Sequence, residues 1–154
     1  MDRRILETLQ AEGRLANTAL AERVRLSPSP CLRRVNHLER EGVITGYRAE
    51  VDRLAVGLGL TVFVELKVAG HSRETADRIE QAVADLPEVV SCHLLSGAFD
   101  FLLEVVVPDL AAYERLLLDK LLSLPSVTDL TSNIAIRTVK GHSPLPLAHL
   151  HNRD

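Results

Sequence analysis

Two short helices joined by a tight corner are predicted over residues 17–47, the stretch that most limits how this chain can fold. Asn17 is a favourable helix N-cap, because its side chain can accept hydrogen bonds from the first free N–H groups of a helix. Ser27 can cap the second helix, and Pro28 suits its first position, where no N–H partner is required. Gly42 is a plausible left-handed C-cap, so the second helix is predicted to stop there.

The second of these helices has two unlike sides. At 100° per residue, one side is apolar and carries Cys31, Leu32, Val35 and Leu38. The other side carries Ser29, Arg33, His37 and Arg40, with Arg34 and Asn36 at its edges. Arginine can fork onto guanine edges or grip phosphates, and serine and asparagine can read or position bases.

A short helix, a tight corner and an arginine-faced second helix form the helix-turn-helix arrangement, which binds DNA. The DNA contacts that we predict are Thr18, Ser27, Ser29, Arg33, Arg34, Asn36, His37 and Arg40. The alternative is an ordinary amphipathic helix whose polar side faces solvent.

Positive charge is concentrated in the predicted helix-turn-helix, as DNA binding requires. The chain has a formal net charge of −3, but residues 1–53 contain ten basic and eight acidic residues, a net charge of +2. Residues 54–154 have a net charge of −5. Between Arg23 and Arg40 there are five arginines and a single acid, Glu39. The first part therefore suits double-stranded DNA, and the acidic second part is expected to lie away from it.

Other composition signals exclude several classes of protein. No stretch is apolar and long enough to span a bilayer, and no N-terminal signal sequence is present, so a membrane partner is not expected. Cys31 and Cys92 each sit in an apolar pattern, which favours a reduced, cytoplasmic location over a disulfide. The low aromatic content disfavours a protein that stacks single-stranded bases.

The first part of the chain has further predicted elements. Ile5, Leu6 and Leu9 predict an N-terminal helix that ends at Gly13 and packs behind the helix pair. Val43, Ile44 and Tyr47 predict the start of a strand after the second helix. We therefore expect a winged helix-turn-helix domain over residues 1–47, and a linker or hinge that can form a strand over residues 48–59.

From Leu60 the apolar period changes to two. Strands are predicted over residues 60–68, 89–96, 101–107 and 127–136, and helices near residues 76–86 and 110–121. This β-α-β order occurs twice and predicts an α+β fold over residues 60–140, a ferredoxin-like βαββαβ sandwich with two helices on one face of an antiparallel sheet. Its other face is expected to carry Phe63, Leu95, Leu102 and Val106, and a second copy of the chain would cover it.

The tail over residues 141–154 is rich in proline and histidine and is expected to be a loosely packed arm. His149 and His151 lie close together, with His142 nearby, but no cysteine or carboxylate cluster completes a familiar metal site. We therefore predict no metal site and no cofactor. His37 is expected to face DNA and His93 to lie on the sheet. We also find no nucleophile motif, phosphate loop or metal-ligand spacing, so we predict that the chain is not an enzyme.

The sequence resembles one family of regulators along most of its length. Residues 26–35, 38–39, 41–44 and 46–47 are similar to the helix-turn-helix of the bacterial and archaeal Lrp/AsnC (leucine-responsive/asparagine-responsive) transcriptional regulators. Residues 96–101 and 107–110 are similar to the second domain of that family, and the resemblance extends over about residues 2–147. It implies a transcriptional regulator that binds DNA through its first domain.

The same resemblance implies that the second domain dimerises through its sheet and binds an amino acid or related metabolite. It implies homodimers that gather into octamers or similar rings, with the effector pocket where dimers meet. The effector residues that it implies are Ser96, Gly97, Ala98, Phe99, Asp100 and Phe101. Family members often have Gly-Asp-Tyr-Asp at this turn, whereas this chain has Gly97-Ala98-Phe99-Asp100. Because one carboxylate and one phenol hydroxyl are missing, we expect an apolar effector or a less responsive pocket. The alternative is a plain hairpin turn in which Gly97 supplies a positive φ.

Two rival functions remain open. Certain tetrapyrrole (sirohaem) decarboxylases resemble the same family, and His93 and Arg137 would be the candidate residues for that chemistry here. An effector-only oligomeric module that no longer binds DNA is the second rival.

Overall fold

The structure is a computed structural model that describes residues 2–70 and 72–150. The chain divides into two compact units. Met1–Glu50 together with Val139–Asp154 form the first, which we call the helical unit, and Val51–Thr138 form the second, which we call the sheet unit. Across the described residues, no helix combines the length and the apolar character that crossing a membrane requires.

Three helices make up most of the helical unit: α1 (Asp2–Ala11), α2 (Asn17–Val24) and α3 (Pro28–Arg40). Their buried side chains form one small core, composed of Ile5, Leu20, Ala21, Val24, Cys31 and Leu38. The corner between α2 and α3 is made by Arg25, which adopts a left-handed conformation with φ 59° and ψ 48°. Its N–H donates to the carbonyls of Ala21 and Glu22, so the end of α2 is satisfied locally. The predicted three-helix arrangement is confirmed.

The helix ends differ from the prediction in detail. Asn17 is the first residue of α2 rather than its cap, and the N-cap is Ala16. The Asn17 amide instead donates from Nδ2 to the carbonyl of Pro28 at 2.9 Å, which ties the start of α2 to the start of α3. Ser27 does occupy the N-cap position of α3, but its side chain makes no cap hydrogen bond.

The strand predicted over residues 43–47 is wrong, as is strand formation in the linker. Residues 41–44 form turns and bends, and residues 45–52 belong to no helix, strand or turn. The cause lies in α3: the N–H groups of Val43 and Ile44 both donate to the carbonyl of Leu38, at 2.9 and 3.1 Å. The left-handed Gly42, with φ 71°, makes this reversal possible. The backbone therefore folds back onto α3 and is not free for a sheet.

The Tyr47 phenol is held by α3 and gives a testable pH prediction. Its hydroxyl donates to Oε1 of Glu39 at 2.9 Å. Removal from water, with the hydrogen bond to Glu39 and its negative charge, raises the pKa of Tyr47 to about 12. The stabilisation of the neutral phenol is present below the unfolded pKa near 10 and is lost as the pH rises through about 12. We expect Glu39→Gln to lower this pKa toward the ordinary value in an ultraviolet titration. Burial also raises the pKa of Tyr113, so both tyrosines contribute to the ultraviolet titration at high pH. The Tyr47→Phe variant shows which part of the titration curve belongs to Tyr47.

The sheet unit contains four antiparallel strands and two helices. In chain order these are β1 (Leu60–Val68), α4 (Arg73–Ala84), β2 (Val89–Leu94), β3 (Phe101–Val107), α5 (Leu110–Asp119) and β4 (Val127–Ile134). The strand order across the sheet is β2-β3-β1-β4, which confirms the ferredoxin-like prediction. β2 and β4 each end two residues before the predicted ends, because the polar turn and the exposed tail that follow them leave the sheet.

One face of this sheet packs on the two helices. Alternate residues of β1 and β3 point to that face, and they pack with Ile79 and Val83 of α4 and with Tyr113 and Leu116 of α5. Asp109 caps α5 by accepting from the N–H of Ala112 at 2.8 Å. The period-two pattern of β1 therefore forms the core as predicted, and its other residues face away from the helices.

The outer face of the sheet is only partly covered. Phe63 pairs in register with Glu104 and Asn133, and its side chain is 38% exposed. Val106 lies on the same face but is buried at 4% exposure. Arg53, which precedes β1, pairs with Glu104 at 2.8 Å and donates to Thr61, so the chain before β1 covers one end of this face. Phe63 and the half-buried Leu102 leave apolar surface open to solvent on this face.

Candidate functional sites

The exposed side of α3 carries most of the predicted DNA contacts. Ser29, Arg33, Asn36, His37 and Arg40 are all exposed, and with Leu32, Arg34 and Asp2 they line one open groove. The opposite side of the helix is fixed in the core by Cys31 and Leu38. Burial of one side therefore determines which side faces solvent, as the sequence pattern predicted.

Arg33 differs from its neighbours in having no partner. Within residues 2–70 and 72–150 its guanidinium makes no ion pair or hydrogen bond, so its donors are available. Arg34, by contrast, donates from Nη1 to Oδ1 of Asp2 at 2.9 Å and is half-buried. Arg40 contacts the ring of His37, with Nη2 and Nδ1 3.2 Å apart. A guanidinium without an internal partner can bind a phosphate or a guanine edge without first breaking an ion pair.

Thr18 and Ser27 lie at the starts of the two helices. Both are exposed, and the Asn17 hydrogen bond to Pro28 holds those two helix starts together. Helix N-termini favour anions because their first N–H groups lack partners and the helix dipole is positive there. The arrangement thus places hydroxyl groups beside two N-termini, which suits contact with phosphates.

Leu32 is a surface residue that the helical pattern assigned wrongly. We predicted it on the apolar, buried side, but it is 47% exposed and lines the groove with Arg33 and Asn36. Its angle lies between the two sides of α3, and only the packing of α1 and α2 decides which way such a boundary residue faces. An exposed apolar side chain in this position can contact a thymine methyl group.

The turn implied as the effector site has its residues in three different environments. Ser96, Gly97 and Ala98 are exposed, and Phe99 and Asp100 are half-buried. Phe101 is 1% exposed and belongs to the core between sheet and helices. The turn itself therefore presents the first three residues to solvent, whereas the Phe101 side chain is directed into the protein.

Asp100 holds the turn to the neighbouring strand. Its Oδ2 accepts from the N–H of Val68 at 2.8 Å, and its own N–H donates to the carbonyl of Leu66 at 2.9 Å. The N–H of Leu95 donates to the Asp100 carbonyl at 2.8 Å, which closes the turn. These bonds use part of the hydrogen-bonding capacity of Asp100 for the fold.

Gly97 has no structural need to be glycine within the chain. Its φ is outside the left-handed region, so the alternative prediction that it supplies a positive φ to the turn is wrong. A Cβ added to Gly97 would meet none of the described atoms within 4 Å. The missing side chain therefore leaves open space above the backbone of the turn.

A cleft beside this turn was not predicted from the sequence. It has a volume of about 480 Å³ and lies between α4, the end of β2 and the start of β3. Its charged or polar lining includes Arg73, Asp77, Glu80 and Asp100, and Leu95 supplies an apolar wall. No local pattern marks it, because its walls come from two separate stretches of the chain, within residues 68–80 and 94–101.

The residues considered for other chemistry do not converge. His93 lies on β2 and Arg137 follows β4; these two strands are the opposite edges of the sheet, three strand spacings or roughly 14 Å apart. No group of three or more histidine, cysteine, aspartate or glutamate residues able to hold a metal occurs in the described part of the chain, and His151 lies outside that part. Cys31 and Cys92 are free thiols, and burial raises the pKa of both.

Comparison with known proteins connects both units to one family. The Lrp/AsnC ligand binding domain matches residues 61–145, and a winged helix-turn-helix DNA-binding domain matches residues 1–45. The leucine-responsive regulatory protein of Escherichia coli K12 is 44% identical over 145 residues, which cover 94% of this chain and 88% of that protein.

Two solved structures are similar over almost the whole chain. A transcriptional regulator from Neisseria meningitidis, solved in complex with L-Met, has a TM-score of 0.91 and 39% identity and covers 96% of each chain. An AsnC family transcriptional regulator from Agrobacterium tumefaciens has a TM-score of 0.89 and 40% identity and covers 95% of each chain. With the exposed α3, the ferredoxin-like sheet and these matches, the chain belongs to the Lrp/AsnC family of DNA-binding transcriptional regulators.

Proposed function

We propose that this regulator binds a loose inverted repeat in double-stranded DNA as a homodimer, inserting one α3 into the major groove at each half-site. The single observation that carries the proposal is the solvent-exposed side of α3, where Arg33 has its donors available. The DNA contacts that we propose are Thr18, Ser27, Ser29, Arg33, Arg34, Asn36, His37 and Arg40. Leu32 joins this set because it lines the same groove.

A twofold dimer places the centres of its two half-sites one turn of the DNA helix apart, or a multiple of one turn. One turn is about 10–10.5 base pairs. Selection from a random DNA pool followed by footprinting tests this. We expect an inverted repeat with that spacing, and an affinity that falls steeply as salt rises, because arginine–phosphate contacts release counterions. Recovery of unrelated sequences with no repeat would contradict sequence-specific binding by a dimer.

The outer face of the sheet is the surface that we propose for the dimer. Phe63 is 38% exposed there and Leu102 is half-buried, whereas Leu95, which we expected on the same face, follows β2 and lines the cleft beside α4. An exposed apolar face on an antiparallel sheet is stabilised when it is covered, and a second copy of the chain offers the same face for a twofold contact. Further association of dimers into an octamer or similar ring belongs to the same proposal.

We propose that the effector is an amino acid with an apolar side chain, bound at the turn of Ser96, Gly97, Ala98, Phe99, Asp100 and Phe101 where dimers meet. Ala98 and Phe99 offer no polar side-chain atom, and Asp100 already accepts from Val68. The backbone of Gly97 can approach a carboxylate, since no Cβ intervenes. The L-Met bound by the Neisseria meningitidis relative is of this chemical class.

Calorimetric titration with the twenty amino acids tests the effector class. Apolar amino acids are expected to bind more tightly than charged ones, because a buried polar side chain without partners is disfavoured. Tight binding of only a charged amino acid would contradict the proposal.

We propose further that the chain is not an enzyme and that effector binding changes oligomer assembly, which in turn changes DNA binding.

Gly97→Ala gives a sharper test of the turn. Because the added Cβ meets open space, we expect the free energy of unfolding to change by less than about 0.5 kcal/mol. If an effector lies against the Gly97 backbone, its affinity falls about tenfold or more in the same calorimetric titration. Gly141→Ala is the matched control, since Gly141 is also exposed with open space around it. Unchanged effector affinity in Gly97→Ala would place the effector elsewhere.

A further inference from the structure

The end of the chain returns to the helical unit and is held there by a glutamine. Leu145 donates its N–H to Oε1 of Gln10 at 2.6 Å. The Nε2 of the same glutamine donates back to the carbonyl of Leu145 at 3.3 Å. One side-chain amide thus satisfies both backbone groups of a single residue 135 positions away, as a neighbouring strand would.

The surface that receives this segment is apolar. We call residues 145–150 the arm, and we call the surface formed by Leu6, Leu9, Val43, Ile44 and Tyr47 the arm groove. Leu147 and Leu150 of the arm are half-buried, although both lie in a stretch with little secondary structure. Burial of two leucines provides an apolar contribution that adds to the two hydrogen bonds of Gln10.

The arm is seated but not tightly packed. A cavity of about 660 Å³ remains between the arm and the arm groove, and its lining is mostly apolar. Leu145 itself is 70% exposed. Contacts this sparse open more readily than a continuous core, because few buried side chains must be exposed when they separate. The arm can therefore leave its groove without unfolding the three helices, whose core of Ile5, Leu20 and Val24 does not include it.

Because the arm follows the sheet unit in the chain, its docking on the helical unit affects how the two units are connected. The helical unit comprises two segments, one before and one after the sheet unit, so the chain passes between the units at residues 50–51 and again at residues 138–139. With the arm released, only the first connection would restrain the helical unit. With the arm docked, a second restraint is added, because the chain that leaves the sheet unit at residues 138–139 is then held to the helical unit by the hydrogen bonds of Gln10 and the apolar arm groove.

We propose that the arm is a reversible second tether that restricts how freely the helical unit moves relative to the sheet unit. The arm groove is occupied by the chain's own residues 145–150, which Gln10 holds through two hydrogen bonds. Because a shorter or additional tether narrows the range of positions that a linked domain samples, the docked arm favours one separation of the two DNA-binding units of a dimer. This consequence rests on the proposed DNA binding, whereas the docking itself does not.

Hydrogen exchange on the full chain tests the docking. In the unmodified protein we expect the peptide over residues 141–150 to exchange more slowly than a synthetic peptide of the same residues. Leu147→Asp places a charge in the apolar groove and should make that segment exchange about tenfold faster. His142→Asp is the matched control, because His142 is exposed in the same tail and should leave exchange unchanged.

Gln10→Ala removes the clamp while leaving the apolar contact, and should accelerate exchange of the Leu145 segment by about threefold to tenfold. Gln81→Ala, an exposed glutamine on α4, is its control. The docking would be overturned if residues 141–150 of the unmodified protein exchanged as fast as the synthetic peptide. It would also be overturned if this segment exchanged at the same rate in Leu147→Asp as in the unmodified protein.

Binding to DNA of two half-site spacings tests the tether. We expect the unmodified protein to prefer the selected spacing over one lengthened by two base pairs, and Leu147→Asp to reduce that preference by about fivefold. An unchanged preference would overturn the tether even if exchange shows docking. Failure of every variant and of the unmodified protein to bind either DNA would overturn the proposed function, and the exchange result would still decide the docking.

Discussion

Replacing Phe101 by alanine is expected to lower the free energy of unfolding of the sheet unit by about 3–5 kcal/mol. Phe101 is 1% exposed and is the largest of the fully buried side chains in the described residues. It begins β3, where it pairs with Leu66 of β1 and Leu94 of β2. Its removal leaves a cavity between the sheet and the helices that close-packed neighbours cannot fully fill.

Chemical denaturation followed by far-ultraviolet circular dichroism measures this effect. Phe99→Ala is the matched control, because Phe99 is half-buried in the same turn and its loss should cost less stability. The pair also separates two roles for Phe101. If Phe101→Ala lowered amino-acid affinity but left stability nearly unchanged, Phe101 would be an effector contact rather than a core residue.

Replacing Arg33 by alanine is expected to weaken binding to the selected DNA by about 1–3 kcal/mol. The Arg33 side chain is exposed and, among the residues that the structure describes, makes no hydrogen bond or ion pair that the substitution would remove. The free energy of unfolding should therefore change by less than about 0.5 kcal/mol. Fluorescence anisotropy with labelled DNA measures the affinity, and sedimentation confirms that the oligomer is unchanged.

Arg33→Lys distinguishes the two ways in which Arg33 can bind DNA. Lysine keeps the positive charge, so it should retain a phosphate contact, but it cannot fork onto a guanine edge. A lysine variant that keeps affinity and specificity indicates a phosphate contact, whereas one that loses specificity at a single base pair indicates base reading. Arg78→Ala is the control, since Arg78 is an exposed arginine on α4 of the sheet unit. Binding by Arg33→Ala as tight as by the unmodified protein would remove α3 from the DNA interface.

Much of the fold follows from local patterns that persist in the structure. The helical period of residues 28–40 separates a buried side with Cys31 and Leu38 from an exposed side with Arg33. The period of two in residues 60–68 separates the core-facing valines from Phe63. These patterns are reliable because a one-residue shift would move an entire set of apolar side chains from core to solvent.

The errors occur where a residue had several local options. Asn17 could cap its own helix, but its amide reaches the carbonyl of Pro28 instead. Val43 and Ile44 have strand-forming side chains, yet their N–H groups bind the carbonyl of Leu38. Leu32 lies at the boundary of two helix sides and faces the solvent groove. In each case the outcome depends on a partner that becomes available only after the helices have packed.

By itself, the sequence determined the types of element, their order, the buried side of each and the concentration of arginine on α3, because these depend on residues adjacent or a few positions apart. Only the tertiary structure decided that Phe101 belongs to the core, that Asp100 binds Val68, that a cleft opens beside α4 and that Leu145 returns to Gln10. The two hydrogen bonds join residues 32 and 135 positions apart, and no local periodicity specifies which distant groups will meet.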